Sequence, residues 1–175
     1  MTNFEGCQLP CVPKFSLGRA PFVEQTFLGR VKKTLAVPWN YHVKPLLKRA
    51  YYASTRNDGD ASAQIAAKGF APAVPFERGD WVRVRSREEI QSTLDPFKEL
   101  KGCAFLPFMA QYCDTKQRVF RVMKFFLDER DYKRKKVRGV ILLENVFCTG
   151  TPAFGECDRC CLLFWREEWL EKVGD

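Results

Sequence analysis

The chain changes its hydrophobic rhythm near residue 76. Before that point, Pro10, Pro13, Pro21, Pro38 and Pro45 interrupt the sequence too often for long helices. Two short ones are predicted. Over 22–35, Val23, Phe27, Val31 and Leu35 recur every four residues. Over 45–52, Pro45 suits a first helical position, and Leu46, Leu47, Ala50 and Tyr51 share a face. Arg30, Lys32, Lys33, Lys44, Lys48 and Arg49 line the same stretch. It reads as a basic amphipathic arm that packs on the body of the protein, a partner or a membrane surface. Residues 54–63 are polar and carry Gly59, as an exposed linker does.

From residue 76 the period shortens to two. Arg78 to Asp80 reads as a turn, and 81–85 alternates as a strand. Ser86 and Glu89 have the spacing of a capping box, which predicts a short helix over 87–94, stopped by Asp95 and Pro96. A helical turn is expected between Phe105 and Cys113. Residues 117–127 alternate again, with Val119, Arg121, Met123 and Phe125 on one face. Residues 137–147 form the returning strand of a hairpin whose charged tip spans 128–136. A loop follows from Cys148 to Cys157. The end of the chain reads as a short helix or turn, with Leu162, Trp165, Trp169 and Leu170 facing inward. The expected architecture is mainly β (α+β): a small SH3-like barrel over 76–175, after an arm over 1–75.

Composition narrows the class. With 46% hydrophobic and 14% aromatic residues, a chain of 175 residues can bury one real core and is not disordered. No run approaches the ~18 apolar residues of a membrane span. The first ten residues lack the basic and apolar regions of a secretory signal, so the expected compartment is cytoplasmic. The net charge of +8 fits an acidic protein partner, nucleic acid or an anionic surface.

That compartment changes the meaning of the eight cysteines, because structural disulfides are uncommon there. Cys113 precedes the first hairpin strand and Cys148 follows the second, so the hairpin should bring them together. Cys157 and Cys161 lie on the loop that folds back. Four thiolates from neighbouring segments suit Zn2+, placed first here, or an iron–sulfur cluster. The spacing is not that of a zinc ribbon, since only Cys157 and Cys160 form a C-x2-C knuckle. Buried thiols and a redox-active pair stay open as alternatives. Cys7 and Cys11 form a separate C-x3-C pair, read as ordinary thiols, and Cys103 reads as structural.

His42 is the single histidine, which excludes a multi-histidine metal site or a Ser-His-Asp relay within one chain. No phosphate-binding or dinucleotide-binding glycine motif is present. Lys133 to Lys136, with Arg130 and Arg138, make a basic hairpin tip, either solvated or touching phosphate. Glu167 and Glu168 are either surface charges, partners of the cysteine centre or, in an enzyme, a general acid or base.

Several motifs recur in one order. They are Gly79, Asp80, Trp81 and Val82; Arg85 and Ser86; Phe105 through Met109; Tyr112 and Cys113; Leu143 and Glu144; Cys148, Cys157 and Cys161; Phe164 and Trp165; Trp169 and Leu170. On these, residues 78–173 resemble an uncharacterised family of small bacterial proteins. The resemblance implies a set of Cys113, Cys148, Cys157 and Cys161, with Cys160 outside it. It carries no activity. The expected function is a small metal- or cluster-binding accessory protein that docks a protein partner through its arm or aromatic surface. A metal-dependent enzyme and an RNA-binding module are the alternatives.

Overall fold

The computed structural model describes residues 43–54, 67, 69–72, 74–128, 133–151 and 155–174. The expected helix over 22–35, Cys7, Cys11, His42, most of the 54–63 linker and the 129–132 tip lie outside them.

The described part is mainly β. Helix α1 (Lys44–Ser54) precedes strand β1 (Trp81–Val84), which leads into helix α2 (Arg87–Ser92). Two short strands, β2 (Glu99–Leu100) and β3 (Cys103–Ala104), come before a 3-10 helix, Pro107–Tyr112. Then follow β4 (Lys116–Val122), β5 (Phe125–Asp128), β6 (Lys133–Lys136), β7 (Val140–Leu143), β8 (Phe147–Thr151) and β9 (Gly155–Leu162). The chain ends with β10 (Trp165–Arg166), a 3-10 turn (Glu167–Trp169) and β11 (Leu170–Lys172).

Five strands form one antiparallel sheet in the order β10-β7-β4-β1-β11. Its two edge strands, β10 and β11, are consecutive in sequence, joined by the single turn Glu167–Trp169. Across a flat sheet those edges would stand roughly 19 Å apart, at about 4.8 Å per strand. Even fully extended, the connection from Arg166 to Leu170 reaches only about 14 Å. The sheet must therefore curl. No pairing closes β10 onto β11 among the described residues.

The core lies inside the curl. β1 alternates as expected: Val82 and Val84 are wholly buried, while Trp81 stays partly exposed. Trp165 and Trp169 are also fully buried. Phe105 meets both indoles edge-on, at 6.4 and 5.7 Å between ring centroids, and Tyr112 meets Trp165 at 6.1 Å. Trp169 Nε1 donates to Thr93 Oγ1 at 3.1 Å, so α2 is tied to the last turn of the sheet. The capping box is present. Glu89 N donates to Ser86 Oγ at 3.2 Å, and Ser86 N donates to Glu89 Oε2 at 2.8 Å.

Three sequence expectations change. The hairpin exists, as β4 on β7 and β5 on β6, but a bulge at Phe120 shifts its register. One extra residue swaps the faces, so Val119 and Val122 turn to the core and Arg121 is exposed. The stretch read as a loop after Cys148 is instead a two-stranded ribbon, β8 on β9. Its glycines and an irregular register hide the alternation that marks a strand. The end of the chain, expected as a short helix or turn, is a 3-10 turn set between two short strands. The four-residue spacing of Trp165 and Trp169 imitates a helical period, but Trp165 lies on β10 and Trp169 in the 3-10 turn that follows it. Leu163 is buried, and Leu162 only half-buried.

α1 forms as expected, yet of the face named for it Tyr51 docks and the leucines do not. Leu46 and Leu47 are exposed. Lys44 reaches Glu99 at 2.9 Å, Lys48 pairs with the same carboxylate, and Tyr51 stands edge-on to Phe97. Charge and contacts with the Phe97 ring hold the helix near the β2 region.

Candidate thiolate centre and the neighbouring charge network

In the β8–β9 ribbon Cys148 lies directly opposite Cys161. Side chains so placed have Cβ atoms about 4.5–5.5 Å apart. The next registered pair is Gly150 with Glu156. Between these pairs Thr149 alone faces Cys157, Asp158, Arg159 and Cys160. β9 therefore bulges outward, and Cys160 closes the bulge with a left-handed φ of 49°. Such a backbone is strained for a residue other than glycine, by roughly 1–2 kcal/mol. Cys157, Cys160 and Cys161 are exposed, Cys148 is half-buried against the core, and none is in a disulfide.

Cys113 sits apart in the chain. It caps the 3-10 helix, donating its N–H to Ala110 O at 3.2 Å, and packs partly against the core. Burial, helped by the Asp114 carboxylate, pushes its thiol above the ordinary range. Among the described residues no three Cys, His, Asp or Glu side chains are grouped closely enough to hold a metal ion. The structure thus pairs two of the four expected ligands, Cys148 and Cys161. It places Cys157 on the adjoining bulge, and it seats Cys160 beside them although Cys160 is outside the expected set. Nothing in the sequence alternation announces the bulge. Its one trace is the crowding of three cysteines within five residues. Cys103 is separate: its Sγ lies 3.6 Å from Phe164 O, and burial pushes its thiol up to about 11. It is protonated at neutral pH and is no nucleophile there.

The sequence did not reveal the role of Glu168. The residue is 2% exposed. Arg166 Nε donates to its Oε2 at 3.1 Å and Arg166 Nη2 to its Oε1 at 3.2 Å, while Lys101 Nζ bonds to Oε1. Arg166 Nη1 also donates to Arg138 O at 2.9 Å. Burial raises the pKa of Glu168, but the Arg166 and Lys101 hydrogen bonds outweigh it and hold the carboxyl below the usual range. Glu168 is an ionised anchor, not an acid with a proton to give. Gly139 lets the turn before β7 close over this network. Its φ is +66°, and a Cβ there would fall 2.6 Å from Glu167 Oε1 and 2.7 Å from Arg166 Nη2.

The basic tip is exposed along β6, where Arg134 covers the Phe125 ring at 3.9 Å. No helix among the described residues is long and apolar enough to cross a membrane. Comparison with protein-family models, curated proteins and solved structures gives no match.

Proposed function

We propose that this is a small accessory protein whose β8–β9 ribbon takes a thiophilic metal, Zn2+ or an iron–sulfur cluster. Its remaining surface docks a protein partner. The observation that carries the reading is the register of Cys148 against Cys161 at a bulge bearing Cys157 and Cys160. A cross-strand pair supplies two thiolates, and a strained, exposed C-x2-C bulge can close on them when metal arrives, because ligand binding and local ordering are coupled. The fourth ligand is then Cys160 or Cys113. Cys160 is in place on the ribbon, whereas Cys113 caps the 3-10 helix Pro107–Tyr112, where burial pushes its thiol up.

The topology supports an SH3-like domain over 76–175: five antiparallel strands, with the two edge strands joined by one 3-10 turn. The arm over 1–75 includes α1, whose exposed Leu46 and Leu47 supply an apolar contact for a partner. A catalytic role for Glu168 finds no support, since both its oxygens are already engaged.

The reading is tested by purifying the protein without oxygen and measuring zinc, iron and visible absorbance. About one zinc per chain, or a coloured cluster, is expected. Cys148→Ser and Cys161→Ser should each lose it. Loss in Cys160→Ser with retention in Cys113→Ser identifies the fourth ligand, and the reverse result restores Cys113. Protein free of both metals sinks the proposal. Co-purification of the metal-loaded chain with one defined protein, abolished by Leu46→Asp, tests the docking half.

A further inference from the structure

A cavity of about 750 Å³ opens between the β5–β6 ribbon and the β7–β10 edge of the sheet, away from the cysteine ribbon. That volume suits a small organic ligand. Met123, Phe126 and Phe164 give it an apolar wall, with the two phenyl rings tilted 57° at 6.4 Å. Phe164 is 48% exposed although large and apolar, and so offers an uncovered ring at the opening. Lys101, Lys136, Arg138 and Arg166 supply positive charge around the same space. The carboxylates against them are Glu167, in the wall, and Glu168, behind it.

These cations are not equivalent. Arg166 and Lys101 are bound to Glu168. Lys136 and Arg138 are exposed and have no carboxylate partner among the described residues. The Arg138 carbonyl is fixed by Arg166 Nη1, which holds the backbone while the side chain stays free to reach a ligand. The cavity therefore combines a rigid charged base, two available cations on one stretch of chain and an open aromatic face. A lone inorganic anion would use only the cations, and an apolar ligand only the rings.

We propose that this cavity binds a nucleotide-sized organic phosphate, with its planar ring on Phe164 and Phe126 and its phosphate on Lys136 and Arg138. Stacking on an aromatic ring contributes about 1–3 kcal/mol, and hydrogen bonds from a guanidinium to phosphate are charge-assisted. The cavity shares no residue with the cysteine ribbon, so the proposal stands or falls apart from the metal reading.

Equilibrium dialysis of the full chain against adenosine monophosphate, adenosine and inorganic phosphate tests it. The monophosphate should bind at least about tenfold tighter than either part alone. Phe164→Ala and Arg138→Ala should each weaken it about tenfold. Both side chains are exposed, so the unliganded melting temperature should stay within a few degrees of the parent. Equal affinity for monophosphate and inorganic phosphate overturns the proposal, as does unchanged binding in both variants. Tight binding of a short single-stranded RNA together with no measurable binding of the monophosphate also overturns it, and assigns the basic ribbon to RNA instead.

Discussion

At Glu168, burial and charge oppose each other most directly. Removing one partner of a buried pair leaves the other charge uncompensated, at a cost of about 3–5 kcal/mol. Glu168→Ala strands Arg166, which is itself 5% exposed. Urea unfolding at pH 7 should show a loss of that order. The pH dependence has a definite sign. The folded carboxyl is held below its usual pKa, so its stabilisation is complete above the ordinary glutamate value of about 4.3. It fades as pH falls through the lower, folded value. The gap between parent and variant should therefore narrow in acid, and a gap that widens below pH 4 contradicts the assignment. Asp80 and Glu89 are shifted the same way, through hydrogen bonds from Lys172 and the Ser86 N–H. Acid thus weakens three places at once.

At the scale of elements, local chemistry was legible wherever it was self-contained. Ser86 and Glu89 announced α2 because both halves of a capping box lie within four residues. Replacing Ser86 by alanine should destabilise the protein by about 1 kcal/mol, read as a lower urea midpoint with an unchanged slope. An unaltered midpoint would show that the box is not holding the helix. The alternation of 81–85 gave β1 for the same reason. What was illegible depended on distant partners. The bulge at Phe120 exchanges the faces of β4, and no residue in that segment signals it. The β8–β9 ribbon was read as a loop because Gly150, Gly155 and the outward bulge break its period. Of the candidate site, the sequence named Cys148, Cys157 and Cys161 on what proves to be one ribbon. It could not show that Cys160 shares that bulge, or that Cys113 ends a 3-10 helix.

Taken whole, the molecule depends on its last strand. β11 pairs with β1, so that Arg83 meets Glu171 from 88 residues away. Trp169 and Leu170 fill the core from that end. A chain stopped after residue 168 should lose the cooperative melt of the full-length protein, as followed by circular dichroism. A retained melt would mean that β1 is secure without its outer neighbour. The single turn joining the two edges of the sheet also has a consequence in time. Chains leave the ribosome N-terminus first, so β1 is made early and waits with one side unpaired. Until 165–172 have emerged, that side is an open template for other strands. The interval between making β1 and making β11 is when a nascent chain most needs a chaperone, and slower translation across 85–165 would lengthen that exposure.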